Sequence, residues 1–209
     1  MGDNGNGERV FVSYLTLRRL VGVLGVLLPL VLAVGWFVLS RTVELQWSIS
    51  HYYATEMQDV FVGVLFVIGW FLFAYKGYER KDDVAGDLAC VCALGVALFP
   101  TTSGSLAIRA VHFVSATVLF LTLSYFALVL FTKRKQGEDP TPEKLTRNKI
   151  YRACGVVMLV CIASIALYNV LPENRSLAAR KPVFWLESFA LWAFGVSWFV
   201  KGKTLWADP

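Results

Sequence analysis

Apolar residues arrive along this chain in unbroken blocks, not in the alternating patterns of a helix or strand that is wet on one face. A block of about 18 or more such residues reads as a helix long enough to cross a lipid bilayer. Six blocks can be drawn, over residues 17–39, 59–75, 84–99, 106–131, 153–171 and 183–200. The third is the shortest, the fourth is long enough to lie tilted, and Pro29 is expected to kink the first. Lipid offers backbone groups no hydrogen bonds, so each block should be helical throughout. The expectation is an all-α polytopic membrane protein. A single six-helix transmembrane domain would span residues 17–200, between tails at 1–16 and 201–209. The first eight residues, rich in Gly and Asn, read as a loose start to the first tail.

Composition fits that picture: of 209 residues, 56% are hydrophobic and only 17% charged. A net charge of +5 raises nucleic acid as a partner. Its distribution excludes that partner, because the basic residues sit in short loops between apolar blocks. With six crossings both termini share one side, and fifteen of the twenty Lys and Arg residues fall there, seven of them between the fourth and fifth helices. Arg41, Arg109, Arg175, Arg180 and Lys181 are left for the other side. Short basic loops stay cytoplasmic, so both termini are expected in the cytoplasm of a bacterial inner membrane, with anionic lipid headgroups near the basic loop. Near the start of the first block, Arg18 and Arg19 precede its apolar run. That run exceeds the core of a secretory signal, so the block reads as a retained anchor. Cys90, Cys92, Cys154 and Cys161 all fall inside predicted helices and read as small packing residues.

Polar chemistry collects at one end. The stretch "VELQWSISHYYATEMQDVFVG" precedes the second helix and carries His51, Glu56 and Asp59. The fourth helix opens with Arg109, His112 and Ser115 at spacings of three, and the sixth holds Glu187 one turn inside its start. In the expected topology all of these map to the outer third of the membrane, where an ionisable group costs ~2.5–3.5 kcal/mol unless it faces the bundle interior with a partner. The first reading is an outward-facing polar pocket for a lipid or small ligand, without catalysis and without a cofactor. In it Arg109 and Glu187 form a buried pair, His112 lines the pocket, and residues 47–59 form a lid. The second reading is a lipid hydrolase with zinc on His51, His112 and either Asp59 or Glu187. A third, a small-solute transporter, lacks the interrupted helix pair that usually marks one. No phosphate-binding loop, dinucleotide fingerprint or nucleophile elbow occurs.

The runs "ELQWSISHYYATEMQDVFVG", "YKGY", "ALFPTT", "RNKIYRACG" and "FWLESFALWAFGVSWFVKG" resemble a family of uncharacterised bacterial six-helix membrane proteins over nearly the whole chain. More distantly, Ile49 and Ser50 followed by Val60 and Phe61 resemble the DRAM and Frag type of six-helix proteins. That resemblance implies the topology. For some of the wider group it implies a link to lipid-anchor remodelling or membrane trafficking. The pattern of the alkaline ceramidase and adiponectin-receptor hydrolases is not matched, since the last helix has no histidine.

Overall fold

The structure, a computed structural model, describes residues 4–77, 79–133, 141–172 and 175–202. Its helices are α1 (Asn4–Ser40), α2 (Gln58–Ala74), α3 (Arg80–Leu98), α4 (Leu106–Tyr125), α5 (Pro142–Val170), α6 (Arg175–Ala178) and α7 (Pro182–Lys201). A 3-10 segment covers Ile49–Ala54, and a π-helical turn, Phe126–Leu130, continues α4. Among the described residues there is no strand. Among the described residues four stretches are long and apolar enough to cross a membrane: Tyr14–Ser40, Leu106–Leu130, Pro142–Val170 and Pro182–Lys201. The helix at Gln58–Ala74 is apolar but shorter, and α3 carries four charges in its first turn, Arg80, Lys81, Asp82 and Asp83.

Helix boundaries follow local chemistry that hydropathy alone does not see. The helix α5 begins at Pro142, well before the apolar block at 153, because Thr141 accepts a hydrogen bond from Lys144 N at 3.1 Å and Pro142 takes the first position. At ~1.5 Å per residue its 29 residues run ~43 Å, past the ~30 Å hydrocarbon core. The helix α1 likewise extends back to Asn4, where a loose tail was expected, and it is helical on both sides of Pro29. The expected final tail from 203 onward and residues 134–140 of the basic loop, with Arg134 and Lys135, lie outside the described residues.

Each long helix packs on its sequence neighbour, and α7 closes the circle by packing on both α5 and α1. The two ends of this up-and-down ring are tied by different contacts. Ile49 and Ser50 meet α7 and α4 at one end. At the other, the Tyr14 hydroxyl donates to Lys76 O (2.8 Å) and Arg19 Nε to Gly202 O (3.1 Å). Glycine makes the α1–α7 seam possible: a Cβ on Gly22 would stand 2.9 Å from Gly195 O, and one on Gly195 would stand 2.7 Å from Gly22 O. Small residues are how helices approach closely where lipid removes any hydrophobic gain from association. Inside the ring lie Leu28, Leu32, Leu72, Met158 and an aromatic cluster of Tyr75, Phe126, Phe131, Tyr151 and Trp198. Outside it Val38, Trp70, Val91, Phe113, Val114 and Val160 are exposed, an apolar belt that water would not tolerate and lipid would.

Candidate functional site

The stretch between α1 and α2 forms a plug across one end of the ring. Ser48 starts its 3-10 turn: the Ser48 hydroxyl accepts from His51 N at 3.2 Å and lies 2.7 Å from His51 Nδ1. Apolar side chains face inward from this turn, Tyr52 being wholly buried against Phe184 with ring centroids 6.2 Å apart. The segment is then pinned from two directions. From α7, Glu187 Oε2 accepts the Ile49 amide at 2.5 Å, and the Ser50 amide also faces this carboxylate. The Phe184 amide donates to Trp47 O at 3.1 Å. From α4, His112 lies 3.0 Å from Ser50 Oγ through Nε2 and 2.6 Å from Phe99 O through Nδ1.

A carbonyl oxygen only accepts, so His112 Nδ1 carries a proton and donates it to Phe99 O. Neutral His112 therefore presents Nε2 as an acceptor, and the Ser50 hydroxyl donates to it. Both ionisable groups at this site, Glu187 and His112, are hydrogen-bond acceptors toward the plug. His51 lies in the 3-10 turn, outside the long helices, and is half-buried. Burial first, and the Lys181 ammonium second, hold its imidazole below the usual value of 6.5, so it is neutral at pH 7. Lys181 itself caps this end with its ammonium 3.5 Å from the Trp47 ring centroid.

The expected pair of Arg109 and Glu187 is not formed. Arg109 is exposed, and Glu187 turns to the backbone of Ile49 and Ser50 instead. The reason is helical phase. Three residues advance ~300°, so each step falls ~60° short of a full turn and Arg109 and Ser115 end up ~120° apart. Only His112, between them, points inward and is buried. The hydroxyl of Ser115 lies instead against Gly95 of α3. Glu56 and Asp59 are exposed too. Asp59 sits in the first turn of α2, where a carboxylate complements the helix dipole. The set His51, His112, Asp59 and Glu187 is not assembled as metal ligands. Among the described residues no three His, Cys, Asp or Glu side chains gather closely enough to hold an ion, and both His112 nitrogens are already engaged.

Reasoning from sequence missed the residues that these groups serve. Ser48 and the Phe99 carbonyl carry no signal beyond their positions before a helical turn and after a helix. Ile49 and Ser50 stood out only through the resemblance to six-helix proteins. Compared with protein-family models, curated proteins and solved structures, the chain finds no match.

Proposed function

We propose that the protein crosses a bacterial inner membrane six times, with both termini cytoplasmic, and that its outer end binds a lipid or small ligand beneath the plug formed by the stretch between α1 and α2. The closed ring, its apolar outer surface and the fifteen-to-five division of basic residues support the topology. At ~1.5 Å per residue, α2 and α3 reach ~26 and ~29 Å, enough to cross when paired inside a ring.

One observation carries the binding reading: ionisable side chains on two separate helices hydrogen-bond adjacent residues of one segment, Glu187 the Ile49 amide and His112 the Ser50 hydroxyl. Ionisable groups in a bilayer cost ~2.5–3.5 kcal/mol each on insertion scales, whereas an apolar contact would hold a plug with no such penalty. Hydrogen bonds are exchangeable. A ligand that donates hydrogen bonds, such as an amine or hydroxyl headgroup, would replace Ile49 N–H at Glu187 and Ser50 O–H at His112. The test is mass spectrometry of molecules retained by the protein extracted in mild detergent. Wild type should retain a donor-bearing ligand, and Glu187→Gln and His112→Leu variants that keep the native elution profile should lose it. Equal retention by all three would count against the site.

A second reading has its own geometric support. Ser50 Oγ, His112 Nε2 and the Phe99 carbonyl on Nδ1 form a hydroxyl, a base and an orienting acceptor at 3.0 and 2.6 Å. That is the arrangement of a serine nucleophile. The Ile49 and Ser50 amides, the donors best placed for an oxyanion, already face the Glu187 carboxylate. Donors already engaged by a carboxyl group are not free to stabilise the charge that acyl transfer would develop. Binding is accordingly the primary reading. Labelling of Ser50 by a fluorophosphonate probe, lost in Ser50→Ala, would reverse the order.

A further inference from the structure

The end of the ring opposite the plug gathers cations from three helices over one aromatic floor. Lys201 Nζ of α7 lies 5.0 Å from the Phe131 ring centroid, and Lys144 Nζ of α5 donates to Phe131 O at 3.0 Å. Arg18 of α1 stands 4.1 Å over the Tyr14 ring and 5.5 Å from that of Tyr75, whose centroid is 6.4 Å from that of Phe131. Arg147 follows Lys144 by three residues on α5 and is buried. Arg18, Lys144 and Arg147 are the cationic neighbours acting on Lys201, with Asp82 as an acidic neighbour. Asp82 is held at 2.6 Å by Lys133, which is also 3.4 Å from Glu79.

Like charges drawn together repel, and partial burial strengthens the repulsion. Polar atoms here are also left open. Among the described residues, Arg18 Nε and Trp198 Nε1, both donors, and Asn148 Oδ1 are buried without a hydrogen-bond partner. Trp198 is only 2% exposed, and its ring packs 5.4 Å from both Tyr75 and Phe131, on the same floor. An unmet buried donor costs about 1–3 kcal/mol, so two such donors beside a cluster of cations mark a place for an acceptor with negative charge. Lys144 and Arg147 have further partners of their own, so they add field and not open donors.

We propose that this end of the ring binds a phosphate group, with Arg18 and Lys201 as its charged contacts, the Trp198 indole as a neutral donor, and Lys144 and Arg147 supplying positive potential. The phosphate of an anionic lipid headgroup and a soluble phosphate share this chemistry. The overhang of α1 and α5 places the site near headgroup depth, within reach of either. The proposal does not depend on what the opposite end binds.

The test uses the full chain in neutral detergent, with native mass spectrometry and thermal melting as readouts. Its probes are phosphatidylglycerol, phosphatidylcholine and inorganic phosphate. Wild type should bind phosphatidylglycerol and melt higher with it. Arg18→Gln with Lys201→Gln should weaken that binding at least tenfold, and Arg109→Gln, exposed at the other end, should leave it unchanged. Binding of phosphatidylglycerol alone assigns the phosphate to a lipid, and saturable binding of inorganic phosphate assigns it to a soluble source. Equal affinity for phosphatidylcholine, equal binding by the double variant, or no binding of any probe would overturn the proposal. If the double variant does not fold, photo-crosslinking of wild type with a phosphatidylglycerol analogue decides. Adducts should map to α1 and α7 near Arg18 and Lys201, and adducts confined to the outer belt would overturn it.

Discussion

The two ends of the helical ring handle ionisable groups in opposite ways. At the plug, Glu187 and His112 are each satisfied by named partners: the Ile49 amide for one, Phe99 O and the Ser50 hydroxyl for the other. At the opposite end Arg18, Lys144, Arg147 and Lys201 crowd together over aromatic rings, and Arg18 Nε and Trp198 Nε1 have no partner among the described residues. At the plug a ligand has to displace a segment already held by Glu187 and His112, whereas at the opposite end it meets donors that are open as they stand. The count of charged residues at each end is less informative than whether their hydrogen bonds close within the protein.

The comparison can be broken from the closed side first. Removing the carboxylate in Glu187→Ala leaves the Ile49 and Ser50 amides facing no acceptor, a loss of about 2–3 kcal/mol. Thermal unfolding in detergent should register it, and Glu187→Gln should recover part. His112→Phe keeps the ring volume but strands Phe99 O and the Ser50 hydroxyl, for about 1–2 kcal/mol by the same measurement. On the opposite side, Lys133→Met should cost about 1 kcal/mol. The Asp82 carboxylate it leaves is only 1% exposed, but the ammonium is partly solvated and screened. Ser48→Ala removes the cap of the 3-10 turn and should cost about 1 kcal/mol or less, seen as faster amide exchange across residues 49–54. The smallest effect is a pH dependence. The His51 pKa is depressed in the folded chain, so the unfolded chain takes up the proton first on acidification. The stabilisation is full above pH 6.5 and is lost as pH falls through the folded value below it. Protection from exchange at residues 48–54, taken relative to the intrinsic rate at each pH, should fall over that window in wild type and stay flat in His51→Gln.

Much of the scaffold was legible in the chain, because a 3.6-residue helix in lipid has to be apolar along its length. The blocks at 106–131 and 183–200 lie on α4 with its π turn and on α7. The overhang of α5 was written in Thr141, Pro142 and Glu143, a capping signal that an apolar window passes over. At the candidate site, His112 and Glu187 stood out as ionisable groups in apolar surroundings, and they do converge. Arg109 did not join them because a spacing of three drifts around a helix. Their partners were illegible for another reason. They are two backbone amides, a carbonyl and a serine hydroxyl, supplied by a 3-10 turn whose place over the ring is decided by tertiary packing. A backbone donor has no letter in the sequence.

Amide hydrogen exchange at Ile49 and Ser50, compared between wild type and Glu187→Ala, tests most directly the claim that buried ionisable groups exist here to hold the plug. Both amides should exchange at least tenfold faster in the variant, while amides along the α1–α7 seam near Gly22 and Gly195 keep their wild-type rates. Unchanged exchange at Ile49 and Ser50, in a variant whose seam is intact, would contradict the account.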